Sequence, residues 1–146
     1  MTAGTCSHTV NTLNSLLLGE LTACEMYAIA LDRIKNPDFR QWLAECYSNH
    51  GIRVHILRER IADLDAEPVE STGLWGAVTR FVEKCAALLG DKAAIYVLEE
   101  GEELNLRKYE EKLPELDDDS RHLVADKLLP AQGQTQIAMS CLKHRS

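Results

Sequence analysis

Apolar residues recur three and four positions apart from Val10 to about Lys35, the spacing of one face of an α-helix. Thr9-Val10-Asn11 suits its start, and Asn36-Pro37 stops it. Asp38 is read as the cap of a second helix with Phe39, Leu43, Cys46, Val54, Leu57, Ile61 and Leu64 on one stripe, broken by the turn-forming run Asp-Ala-Glu-Pro-Val-Glu-Ser-Thr-Gly at 65–73. A shorter amphipathic segment carries Leu74, Trp75, Val78, Phe81, Val82, Cys85 and Leu88 and ends at Gly90. Asp91 is read as capping a fourth helix that runs to Leu113. Past Pro114 and its acidic loop a last helix extends from about Ser120 to Lys143, with Pro130 and Gly133 expected to kink it. No segment alternates like a strand. The pattern predicts an all-α bundle of four long helices, with the short third one as the connection between two helical hairpins.

Certain polar residues interrupt these stripes at matching places. The segment Gly-Glu-Leu-Thr-Ala-Cys-Glu-Met-Tyr at 19–27 is answered by Gly-Glu-Glu-Leu-Asn-Leu-Arg-Lys-Tyr at 101–109. Glu20 and Glu102 therefore sit at equivalent points of otherwise apolar faces, and Tyr27 and Tyr109 follow two turns later. His50 interrupts the stripe of the second helix, and Gln132 that of the last. Glu20 lies 16 residues before the Asn36 turn and His50 lies 14 after it, so at about 1.5 Å per residue the two differ in depth by only ~3 Å. The four positions fall in one layer near mid-bundle. A buried carboxylate there needs a cation, a hydrogen-bond donor or a proton.

Composition narrows the picture. A chain with 45% hydrophobic and 27% charged residues can bury a core, and residues 10–146 read as a single domain after a flexible N-terminus at 1–9. The net charge of −7 and the lack of a basic stripe exclude broad nucleic-acid binding. No run is long and apolar enough for a membrane span, and the N-terminus lacks an export pattern, so the expected location is cytoplasmic. Five widely spaced cysteines without a CxxC pair read as reduced thiols. Assembly into a homo-oligomer is expected.

Two hairpins joined by a crossover, with mid-helix glutamates, resemble the ferritin-like fold. The run Ala-Ile-Tyr-Val-Leu-Glu-Glu-Gly-Glu-Glu-Leu-Asn-Leu-Arg-Lys-Tyr-Glu-Glu-Lys-Leu at 94–113 resembles a bacterial ferritin-like domain family of unknown function, and Gly-Leu-Trp-Gly-Ala-Val-Thr-Arg at 73–80 matches its entry to the connecting helix. The resemblance covers most of residues 10–143. It implies that the crossover traverses the bundle, so that the fourth helix runs parallel to the second. It also implies a divalent metal, iron or manganese, held by Glu20, His50 and Glu102, with Gln132, Glu99, Tyr27 and Tyr109 as neighbours and oxidative chemistry as the possible use. Ferritin-like di-iron sites pair two single glutamates with two Glu-x-x-His motifs. Here Tyr47 stands three before His50, and Asp119-Ser-Arg-His122 lies at a helix start, so the motif is incomplete. The competing expectation is a hydrogen-bonded polar layer that fixes register in a non-catalytic bundle, with Arg53 reaching out to solvent.

Overall fold

The computed structural model describes residues 3–70, 76, 79–83 and 90–146. Four long helical stretches pack as expected: α1 (Ala3–Arg33), α2 (Pro37–Asp63), α3 (Asp91–Lys112), and a last stretch made of α4 (Asp118–Leu123), a π-helical segment (Val124–Leu128) and α5 (Leu129–Arg145). Most of the expected connecting helix, including Leu74, Trp75, Val78, Cys85 and Leu88, lies outside the described residues. Residues 79–83 are helical, and Phe81 is buried in the core.

The N-terminus is helical from Ala3 rather than from Val10, because it has something to hold: Thr9 is buried and its hydroxyl accepts from the Asp117 amide at 2.9 Å. At the first turn the cap is Asn36, not Asp38. The Asn36 side chain accepts from the amides of Asp38 (2.9 Å) and Phe39 (3.2 Å), and Pro37 occupies the first helical position, where a missing N–H costs nothing. Helix α2 ends in a Schellman arrangement, Ala66 N–H to Ile61 O and Asp65 N–H to Ala62 O, which puts Asp65 at φ 56°. Asp91 does not cap α3 either. Its carboxylate accepts from the Asn36 and Lys35 amides and so ties the α1–α2 turn to the start of α3, while Gly90 occupies the cap position at φ 100°.

Cross-helix contacts set the directions. Lys108 reaches Ser15, Asn105 reaches Glu20, and Asp91 reaches Asn36, so α3 descends as α1 ascends. Since α2 also runs antiparallel to α1, α2 and α3 are parallel, and the chain must cross the length of the bundle between them. This is the arrangement the ferritin-like resemblance implies. Helix α1 packs mainly on α2, and α3 mainly on α5.

The core falls into two apolar clusters. One gathers Leu13, Leu16, Leu17, Leu57, Ile61 and Leu128 toward the end holding Leu116; the other gathers Ala30, Ile34, Leu43, Ile95, Leu98 and Met139. Between them lies a layer of polar side chains. Among the described residues no helix is long and apolar enough to cross a membrane.

Candidate functional site

Helical periodicity delivers Glu20, His50, Glu102 and Gln132 to the layer between the two clusters, each buried. The expectation that these four meet at mid-bundle corresponds to direct contacts. The His50 ring lies between the two carboxylates, Nδ1 at 2.6 Å from Glu20 Oε2 and Nε2 at 2.5 Å from Glu102 Oε1. Arg53 Nη2 also lies 3.3 Å from Nε2, and a carboxylate acceptor on each side favours the doubly protonated ring, an imidazolium.

The residue that most alters the picture is Arg53. Its side chain does not run to solvent. It is 1% exposed and turns into the layer, where Nη1 donates to Gln132 Oε1 and lies 3.3 Å from Glu20 Oε1, while Nη2 donates to Thr135 Oγ1 at 2.9 Å. Arg53 is three residues after His50 and four before Leu57, so it occupies the buried stripe of α2. That spacing was the sequence signal for it. Arg53 Nε is buried without a partner among the described residues.

Every carboxylate oxygen in the layer is satisfied. Glu20 Oε1 also accepts from Asn105 Nδ2 (2.9 Å) and the Tyr109 hydroxyl (3.0 Å). Glu102 Oε1 accepts from the Tyr27 hydroxyl (2.8 Å), and its Oε2 from Gln132 Nε2 and Thr135 Oγ1, both at 2.8 Å. The repeated motif thus produces a reciprocal pair. Because α1 and α3 are antiparallel, the tyrosine of each reaches the glutamate of the other, which no contact within one helix could achieve across two turns. Asn105, three residues after Glu102, also donates to Gln132 Oε1 at 2.8 Å.

Electrostatics follow from this count. Burial alone would raise the Glu20 carboxyl; hydrogen bonding and charge from His50, then Arg53 and Asn105, reverse it, and the net shift is downward. Glu102 is likewise pushed up by burial and brought below its ordinary value by His50, Tyr27 and Thr135. Burial would lower His50, but Glu102 and Glu20 on its two sides raise it. Two carboxylates, one guanidinium and one imidazolium sum to zero. Tyr27 and Tyr109 are held well above 10 by burial first and by the neighbouring carboxylates second, so both remain neutral donors.

The remaining sequence candidates lie apart from this layer. Glu99 is buried but pairs with Lys143 at 3.3 Å, and Glu25, Glu45 and Glu103 are exposed. Among the described cysteines none is bonded to another, and burial lifts the Cys46 thiol to about 12 and Cys24 to about 11, which leaves both as protonated packing groups.

A divalent cation requires lone pairs that converge on one point. Here the lone pairs of Glu20 and Glu102 receive donors, both His50 nitrogens face carboxylate oxygens rather than a shared point, and a permanently charged guanidinium lies 3.3 Å from Glu20. As arranged, this donor set does not fit a metal ion. Among the described residues no group of three or more His, Cys, Asp or Glu side chains is placed to hold one.

Two glycines flank the layer, one before each glutamate. A Cβ on Gly19 would come within 2.8 Å of Asn105 Oδ1, whereas a Cβ on Gly101 would meet nothing within 4 Å. Gly19→Ala should therefore cost about 1–3 kcal/mol through overpacking against a committed side chain. Gly101→Ala should gain about 0.5–1 kcal/mol from helix propensity. Urea unfolding of the pair checks both signs; equal effects would mean that the close approach at Gly19 is absent.

Comparison with known proteins places this arrangement in a family. Residues 8–115 match the model of a domain of unknown function, DUF2383. The chain belongs to the DUF2383 family. It is also similar to a 3-demethoxyubiquinol 3-hydroxylase of Polaromonas sp. (strain JS666 / ATCC BAA-500), with 32% identity over 111 residues, which is 74% of this chain and 53% of the relative. This DUF2383 chain therefore spans about half the length of the hydroxylase it matches. No solved structure matches.

Proposed function

We propose that this DUF2383 protein is a ferritin-like bundle whose midplane cation is supplied by the chain itself, and that it acts by binding rather than by oxidation. The carrying observation is the Arg53 guanidinium within the layer, donating to Gln132 and Thr135 beside Glu20. In this reading Arg53 and protonated His50 balance Glu20 and Glu102, and the layer fixes the register of the helices across a core otherwise made of two apolar clusters. Association with further copies of the chain belongs to the same reading, supported by Ile52, Leu104 and Ile137, each more than half exposed.

A second, oxidative reading is favoured by the likeness to a protein named as a hydroxylase. It requires Arg53 to leave the layer so that Glu20, His50 and Glu102 hold iron or manganese. Metal analysis of untagged protein from cells supplemented with both metals separates the two. The expected result is metal far below one equivalent per chain. Near-stoichiometric metal that disappears in the Glu20→Gln, Glu102→Gln variant would overturn the metal-free reading and establish the oxidative one.

A further inference from the structure

On the side where α1 and α3 face each other, the packing opens into a cleft of about 280 Å³ that reaches down to the polar layer. Its walls are Leu18, Ala23, Met26, Leu98 and Leu104, and its inner end is formed by Tyr27, His50, Glu102 and Asn105. Gly101 borders it in mid-helix, where glycine weakens a helix and where a Cβ would meet no atom within 4 Å. The space its missing side chain leaves belongs to the cleft.

The inner end is selective in what it offers. The oxygens of Glu102 are occupied, Tyr27 spends its proton on Glu102, and His50 donates to the two carboxylates. Asn105 differs. Both hydrogens of its amide are directed to Glu20 and Gln132, which turns Oδ1 toward Gly19 at the cleft wall, and no donor among the described residues reaches that oxygen. Asn105 is 9% exposed as a residue, and its Oδ1 is an acceptor open to the cleft rather than sealed in the core. An acceptor that opens on the cleft and takes no donor from the described residues can receive a hydrogen bond from a ligand hydroxyl.

From these features we infer that the α1–α3 cleft is a binding site for a neutral aromatic hydroxyl compound of the phenol class, its ring against Met26 and Leu98 and its O–H donated to Asn105 Oδ1. Apolar walls take the ring, and thioether contact from Met26 favours an aromatic one. The inner end is already balanced in charge, so an ionised head group entering it would be buried without a counterion. Lys108 stands at the cleft with its ammonium on the Ser15 carbonyl at 2.7 Å, a neutral partner that leaves its charge in place, so a benzoate probe reads whether that charge draws an anion instead. The inference rests on the reading of the chain as a binding protein, although the cleft can fail to bind while the layer stays free of metal.

The test uses the full chain stripped of metal, with 4-propylphenol, propylbenzene and 4-propylbenzoate as probes, followed by calorimetry and by the NMR signal of the Met26 methyl. Saturable binding of the phenol with a shifted Met26 signal is expected, with propylbenzene about fivefold weaker for want of one hydrogen bond. Gly101→Leu should fill the cleft and weaken the phenol by tenfold or more; Ala23→Leu does the same from the opposite wall should the first variant fail to fold. Lack of saturable binding, equal binding of propylbenzene, tighter binding of the benzoate, or binding unchanged when the cleft is filled would each overturn the inference. Metal analysis of the same protein before stripping reports separately on the proposed function.

Discussion

Replacing Arg53 with Met should destabilise the bundle by about 3–5 kcal/mol, the range seen when one member of a buried ionic group is removed. For a chain of this size that is a fall in Tm on the order of 10 °C. The cause is not lost packing, since Met retains much of the stem. It is the charge left behind: Glu20 and Glu102, each 2% exposed or less, would face His50 alone, and Gln132 Oε1 and Thr135 Oγ1 would lose a donor. Arg53→Lys should cost less, because the charge remains while the fork that reaches two acceptors is gone. Adding Glu20→Gln to the Met variant restores neutrality and should recover part of the loss. Thermal and urea unfolding of the native chain, Arg53→Met, Glu20→Gln and the two combined form a double-mutant cycle, and simple additivity of Arg53→Met and Glu20→Gln would show that the two charges do not interact.

Stability should also follow a dome in pH whose two limbs belong to the layer. His50 is raised in the folded state, so its contribution is complete below the unfolded value of about 6.5 and is lost as pH rises through the folded one, with a slope approaching 1.4 kcal/mol per pH unit, roughly that of one proton. Glu20 and Glu102 are lowered, so their contribution is present above the unfolded value of 4.5 and is lost as pH falls through the folded values. Two protons taken up on unfolding give that acid limb up to about twice the slope. Tyr27 and Tyr109 titrate well above 10 and leave the alkaline limb to His50 over the range between. Urea unfolding from pH 3 to pH 9, set beside His50→Gln, reads both limbs. A flat profile above pH 6.5 in the native protein would mean that the ring between the carboxylates is neutral.

Much of this architecture is legible in the spacing of apolar residues, because a helix that buries one face must repeat every three or four positions. The layer was legible for a related reason: Glu20, His50, Glu102 and Gln132 each break a stripe at the same depth. The helix ends were harder. Asn36 and Asp38 are both good caps by type, and only the presence of Pro37 at the first helical position decides between them. Asp91 has the identity of a cap and the work of a tether, which depends on Asn36, remote in sequence. The sequence alone points Arg53 to water, because a long cationic side chain can usually reach it from the flank of a helix. Only tertiary structure shows that two carboxylates wait on the inner side. Asn105 lies one turn from Glu102 on the same face, but an uncharged amide beside a charged residue carries a weaker signal in the sequence.

The expected disturbance near Pro130 takes the form of the π-helical segment Val124–Leu128, where the Leu129 amide reaches back to the Val124 carbonyl, just before the proline that has no N–H to give. Ser120, Val124, Leu128 and Gln132 are all buried at intervals of four. In a regular α-helix each such interval overshoots a full circle by about 40°, so three of them would swing Gln132 well off the inward face. The wider turn takes up that drift and brings Gln132 and Thr135 back onto Glu102. The layer is thus encoded in a residue count as well as in residue types. Straightening that wide turn without removing a residue would keep every polar side chain of the layer, yet turn the last helix by about 100° and leave Glu102 facing hydrocarbon; removing one residue as well would restore the face, since eleven steps of about 100° fall within about 20° of three full circles.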